Sequence, residues 1–335
     1  KKEFFTITEN VFNYDDLKDW LNDNLSIGSI DVNIMTKVDK TNFFKNEELS
    51  VEYNDAHAAL RGYAKSNLAS SVIFSAGMNP RLYGYIGQFD DFFPNVDGYI
   101  KKKIVLKVSD YRSAIIQGKF LAKKGLWVSE YRIESGLNCG GHAFATDGLL
   151  MGPILSEFRD NRQSLVDQTY EVLEKGLSDL SRIVPSTKLN IKITAQGGVG
   201  TAREQSFLID HYNLDSVGWG TPFLLVPEVT TVDNDTREKL LKAKEGDLYL
   251  SNVSPLGVPF NNLRNNSKDI EKSQKINEGK PGSSCPRRFL ALSNEYGEQG
   301  VCTASRKFQK IKIKESDKDD SILLDKVFEK TCLCM

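Results

Sequence analysis

The chain has 335 residues, 40% of them hydrophobic and 27% charged, and a formal net charge of -1. That is ordinary for a globular protein and enough for one large α/β domain plus an appendage; without a basic excess, nucleic acid is not the default partner. No apolar run approaches the roughly 20 residues that span a bilayer, and Lys1-Lys-Glu-Phe-Phe has no signal-peptide core. Five cysteines in so long a chain argue against a secreted disulfide scaffold, so a reducing cytoplasm is expected.

Tyr14 to Leu25 reads as a short amphipathic helix and Ile30-Asp-Val-Asn-Ile-Met35 as a buried strand. Glu47 to Ser66 reads as helical. Ser71-Val-Ile-Phe-Ser75 is a strand closed by Ala76-Gly-Met-Asn-Pro80. From Lys103 the pattern turns regular. Ile104-Val-Leu-Lys-Val108 is a strand, and Tyr111, Ala114, Ile115 and Ala122 mark a helix. Leu126-Trp-Val-Ser129 is the next strand. Residues 149–160 read as a connection and Gln163 to Leu180 as a long helix. Leu189 to Thr194 is a strand, Thr201 to Tyr212 a helix, Ser216-Val-Gly-Trp a strand, and Asp235 to Lys244 a helix. Strands alternating with helices over short connections predict a parallel sheet. The strand count and the late Gly-rich turn favour a TIM (β/α)8-type barrel over an open doubly wound sheet. The expected domains are an α/β barrel over 1–260, a flexible linker over 261–284, and a Cys-rich region over 285–335.

Two segments carry the chemistry: Glu134-Ser-Gly-Leu-Asn-Cys-Gly-Gly-His142 and Ala195-Gln-Gly-Gly-Val-Gly200. A third run ends Gly218-Trp-Gly-Thr-Pro-Phe223. A Gly-rich turn at a strand end, opening a helix, presents backbone N–H groups and a positive helix end to a phosphate. Gly197, Gly198, Gly220 and Thr221 are the expected cradle, with Gln196 beside them. His142 has the pKa range for proton transfer at neutral pH. His57 and His211 fall in predicted helices with no motif around them.

These pieces, in order, resemble the nitronate monooxygenase (2-nitropropane dioxygenase-like) family, which includes FMN-dependent enoyl reductases. Asn138-Cys-Gly-Gly-His142 is similar to the family's Glu-Ala-Gly-Gly-His, Gln196-Gly-Gly-Val199 to its Ala-Gly-Gly-Ile, and Trp219-Gly-Thr-Pro-Phe223 to its Met-Gly-Thr. Val32-Asn-Ile-Met35, Phe74-Ser-Ala-Gly77 and Ile104 to Val108 fit earlier strands. The resemblance implies a barrel that binds FMN and oxidises or reduces a small organic substrate; an electron-donor partner, a homodimer and no membrane are further expectations. His142 would be the acid/base group, Cys139 a proton donor or activated thiol, and Lys107 a stabiliser of negative charge on the reduced flavin. Glu134 and Asn138 would contact substrate or flavin. Two early strands of the family pattern have no counterpart before Ile30, so the barrel is expected to lack or replace them.

Cys285, Cys302, Cys332 and Cys334 are spaced C-x16-C-x29-C-x-C. Four thiolates in a reducing compartment suit a 4Fe-4S cluster ahead of zinc, and unconnected thiols in a small cap are the equal alternative to either. Two further readings stay open at this stage: a flavin/Fe-S reductase acting on an enoyl thioester or larger substrate, and a non-catalytic barrel that binds a phosphate ligand.

Overall fold

The computed structural model describes residues 14–24, 28–36, 39, 41–75, 77–134, 151–197, 199–255, 257, 260–284, 291, 293–297, 300–315 and 321–332. After helix α1 (Tyr14–Asn24) come strand β1 (Val32–Met35) and a small antiparallel pair, β2 (Phe43–Phe44) and β3 (Glu47–Glu48). Then follow α2 (Asp55–Ala64), β4 (Ser71–Ser75), α3 (Pro80–Ile86), β5 (Lys103–Val108), α4 (Tyr111–Ala122), β6 (Val128–Ile133) and α5 (Met151–Asp179). The series ends with β7 (Lys192–Gln196), α6 (Ala202–Tyr212), β8 (Ser216–Gly218) and α7 (Asn234–Lys242).

Six of these strands form one sheet in the order β1-β4-β5-β6-β7-β8, every pair parallel. The order never reverses. Right-handed crossovers that always step to the same side leave every linking helix on one face. This is the stave order of a barrel. Among the described residues β1 and β8 do not pair with each other, so these six strands form an arc, and closure of the expected barrel, with its first two strands lacking or replaced, is not shown.

One side of each strand packs under the helices. Val72 and Phe74, Ile104, Leu106 and Val108, Tyr131 and Ile133, and Ile193 and Ala195 join one core with Leu60, Leu82, Leu121, Phe158, Leu165 and Leu173. The remaining residues of those strands point to the concave side, because neighbours in a strand face opposite ways. A bulge in β6 complicates the pattern: Ile104 pairs with Val128, but Val105 pairs with Glu130. The extra residue, Ser129, lets Glu130, Arg132 and Glu134 share the concave face with Lys107.

Two glycines set how close α4 and α5 come. A Cβ on Gly176 would lie 2.4 Å from Ala122 O, and one on Gly118 would lie 3.1 Å from Thr169 Cγ2 of α5 and 2.2 Å from the Tyr131 hydroxyl of β6. Caps fix the helix starts. The Asp110 carboxylate accepts the Ser113 N–H at 2.6 Å, and Asn79 accepts that of Leu82 at 3.1 Å with Pro80 in the first turn.

The span 261–284, expected as a flexible linker, holds regular structure. Strand β9 (Leu248–Ser251) pairs antiparallel with β10 (Phe260–Leu263), and α8 (Ser267–Asn277) follows. The polar composition that reads as a loop is a solvated helix face. Asn266 caps the N–H groups of Lys268 and Asp269, and Glu271 pairs with Lys268 and Lys275. Helices α9 (Arg306–Glu315) and α10 (Ser321–Glu329) lie beyond. They hold the segment after β9: Lys330 Nζ donates to Asn252 O and to Ser254 O, Glu329 accepts the Asn252 N–H, and Gln309 ties Val327 O to Lys330 O. No helix among the described residues is long and apolar enough to cross a membrane.

Candidate functional site

The strand registers bring the polar residues of the concave face into rows. Lys107 is the partner of Arg132, and Arg132 of Thr194; one step further, Gln196 is the partner of Gly218. Glu134 lies just past β6, and its N–H donates to Val108 O at 3.1 Å. Its carboxylate takes the Lys107 ammonium at 2.8 Å, with the two side chains 12% and 22% exposed. Lys107 is therefore half-buried and paired.

A second pair lies beside it. Arg132 Nε meets Glu130 Oε1 at 2.8 Å, and Thr194 Oγ1 donates to the same oxygen at 2.7 Å. Sequence reasoning passed over Glu130, Arg132 and Thr194. The signal was present, since Val128-Ser-Glu-Tyr-Arg-Ile133 alternates from Glu130 onward, but the bulge at Ser129 breaks the period that would have exposed it. Below this row, a cleft of about 380 Å³ opens at the N-terminal ends of the strands, lined by Asp31, Lys103, Glu130 and Lys192 among others.

The β7 and β8 turns also come together. Gly197 has φ +89° and donates its N–H to Gly218 O at 3.0 Å, which extends the β7–β8 ladder by one rung. Only glycine adopts that φ without strain. Gly220 leads into a 3-10 turn, Thr221–Leu225, and a Cβ placed on it would meet nothing within 4 Å. The start of α6 is occupied from within: the Glu204 carboxylate accepts the N–H groups of Gly200 at 2.8 Å and Thr201 at 2.9 Å, in a capping box with Thr201. Those backbone hydrogen bonds and the Thr201 hydroxyl hold Glu204 below the usual carboxylate range.

At the C-terminal ends of β1 and β4 lies a network that sequence reasoning missed. His57, 1% exposed, pairs with Asp39 at 2.9 Å, and Asp39 also accepts the N–H groups of Ala56 and His57 at the start of α2. Asn79 bridges Asp39 and Thr36 O, and the Thr36 hydroxyl donates to Ser75 O. No local spacing marks Asp39 as the partner of a histidine 18 residues on.

Neither a protein-family model nor a curated protein matches the chain. Among solved structures, similar ones include FabK from Thermotoga maritima, at 16% identity over 88% of this chain and 75% of that one, with a TM-score of 0.42. A point mutant of that FabK gives 17%, 86%, 72% and 0.41. The enoyl reductase domain of MlnA, from the macrolactin cluster of Bacillus amyloliquefaciens, gives 13%, 81%, 64% and 0.44. At identities this low and TM-scores below one half, the chemistry has to be read from this chain's own residues.

Of the expected site residues, Lys107, Gln196, Gly197, Gly220 and the Thr221 backbone are at the C-terminal ends of β5, β7 and β8, on one rim of the arc. His142, Cys139, Asn138 and Gly198 lie outside the described residues, as do Cys285 and Cys334. Cys302 is buried and Cys332 half-buried. Among the described residues, no group of three metal-ligating side chains could hold an ion, so the expected cluster or zinc site has no support.

The rim suits an anionic group in part. The Gly220 N–H donates to no described residue, and open space surrounds its Cα. The Gly197 N–H and the α6 N-terminus are already spent on Gly218 O and Glu204.

Proposed function

We propose that the chain is an FMN-dependent oxidoreductase of the nitronate monooxygenase-like type, acting on a small organic substrate. What supports this reading is that Lys107, Glu134, Gln196, Gly197 and Gly218 lie at the C-terminal ends of the adjacent strands β5 to β8, while the Asn138–His142 motif lies outside the described residues. The glycine turn at Gly197 lies against Gly218, on the same rim as the Lys107–Glu134 pair. Gly220 and Thr221 would receive the cofactor's phosphate, with Gln196 alongside. Bound FMN would supply the electron chemistry. Lys107 would hold positive charge near the ring system, and Glu134 keeps that charge neutralised and fixed when no anion is present. His142 would accept or return a proton at the substrate, with Cys139 as a second proton donor.

The test is the visible spectrum of the purified chain, followed by anaerobic titration with nitroalkanes and with reduced nicotinamides. Flavin absorbance that bleaches with one of these donors is the expected result. A chain that takes up no FMN from millimolar solution would refute the proposal. With FMN bound, His142→Ala should keep the absorbance and lose turnover; undiminished turnover removes the proton role.

A further inference from the structure

We infer that the concave face binds a small organic carboxylate through the guanidinium of Arg132; if the reading above holds, that carboxylate belongs to the substrate. In a closed barrel the inward rows are branched apolar side chains in packed layers. Here the corresponding row runs Lys107, Arg132, Thr194, with Glu130 one step below and Glu134 one step above.

The four charges in this group sum to zero, but their hydrogen-bonding capacity is unequally used. Glu130 Oε1 accepts from both Arg132 Nε and Thr194 Oγ1. That contact grips the Nε edge of the guanidinium and fixes its plane. The two terminal nitrogens of Arg132 have no partner among the described residues, and the side chain as a whole is 23% exposed. Lys107 is already committed to Glu134. A planar monoanion with two oxygens matches the guanidinium fork. A phosphate dianion would find no second uncommitted cation in this row. Holding the sheet together would require only the Nε contact, and the free fork is what a ligand would use.

The probes are benzoate and hexanoate, each measured by calorimetric titration against its own primary amide, on the full chain with and without FMN. Both acids are expected to bind and both amides to bind much more weakly. Arg132→Gln should weaken acid binding by about 10- to 100-fold, the loss of a charge-assisted fork. Arg132→Lys keeps the charge and loses the fork, so it should fall between the two and serves if Arg132→Gln does not fold. The double variant Lys103→Gln/Lys192→Gln, at the opposite end of the strands, should bind the acids like the parent. Acid and amide binding alike, neither acid binding at about 10 mM, undiminished binding by the Arg132 variants, or binding lost in the double variant would each overturn the inference. FMN uptake is read separately from absorbance. Acid binding without FMN uptake leaves Arg132 standing and removes the flavin reading; FMN uptake without acid binding does the reverse.

Discussion

Lys102 offers the sharpest test of how the arc is held together. Its side chain is 0% exposed, and its ammonium donates to Tyr63 O at 3.0 Å, Ser66 O at 3.0 Å and Leu68 O at 2.8 Å. These are carbonyls of the turn that ends α2, where a cation is also favoured by the helix dipole. It also lies 4.5 Å from the centre of the Tyr63 ring. Lys102→Met keeps the aliphatic stem and its packing, so a cavity adds little. It leaves the part-buried carbonyls of Ser66 and Leu68 without this donor, while Tyr63 O keeps the Ser66 N–H and hydroxyl, so the loss is about 1 kcal/mol for each unmet acceptor, or about 2 kcal/mol. Against a total stability of about 5–15 kcal/mol, that is a large fraction. Urea unfolding should show a lower midpoint at unchanged slope. The sign with pH is also fixed. Desolvation pulls the folded-state pKa of Lys102 below the ordinary lysine value of 10.5, with Asp91 opposing. Between the folded pKa and 10.5 the unfolded chain binds more protons, so the parent gains stability as pH rises through that window and Lys102→Met does not. The gap between the two should therefore widen toward about pH 10. A loss under about 1 kcal/mol, or a gap that narrows with alkali, would show that the ammonium's own desolvation cancels its hydrogen bonds.

Gly176→Ala should cost about 1–3 kcal/mol in a thermal or urea melt, because the new methyl meets the backbone of Ala122 and Lys123, which cannot yield. Gly62→Ala, in α2 where a Cβ meets nothing within 4 Å, should instead stabilise by about 0.5–1 kcal/mol; equal effects at the two sites would refute the helix-contact argument. In the FMN-bound state proposed above, Lys107→Met should retain the flavin but lower its midpoint potential in a spectroelectrochemical titration, and an unchanged potential would place Lys107 away from the ring. The depressed pKa of Glu204 contributes stability that is present above its unfolded value of 4.5 and lost as pH falls through the folded value; melts of Glu204→Gln over about pH 2–7 should lack that acid-limb component.

The βα units from Lys103 to Gly218 were legible because each is local: a short apolar strand, a capped helix, and a turn between them. Boundaries moved where one residue carries two meanings. Residues 149–160, which include Gly152-Pro153, read as a connection, yet α5 spans Met151–Asp179. Proline is tolerated in a helix's first turn, where its missing N–H has no partner to lose. The strand expected at Leu126 begins at Val128, after Gly125 turns the chain at φ +71°. The linker expectation failed because solvated helices and loops share a composition, and only the Asn266 cap and the i,i+3 and i,i+4 charges separate them. Closure of a barrel is a non-local property that no window of sequence encodes. The same holds for the Asp39–His57 contact, which depends on how the β1 loop meets α2.

The polar concave face of the six described strands has a physical explanation. Inside a closed barrel, Lys107, Glu130, Arg132 and Glu134 would all be desolvated, and even paired charges seldom repay that cost. With six staves, Val105 at the floor of the face is only 1% exposed, while the charged side chains above it remain 12–23% exposed. Each charge therefore keeps both a partner and partial access to water. Ion pairs are far cheaper under those conditions than in a dry core, and an anion can still reach them. Pairing along a strand and between adjacent strands, Glu130 with Arg132 and Lys107 with Glu134, also holds both cations still before any ligand arrives, so less conformational entropy is lost when one binds.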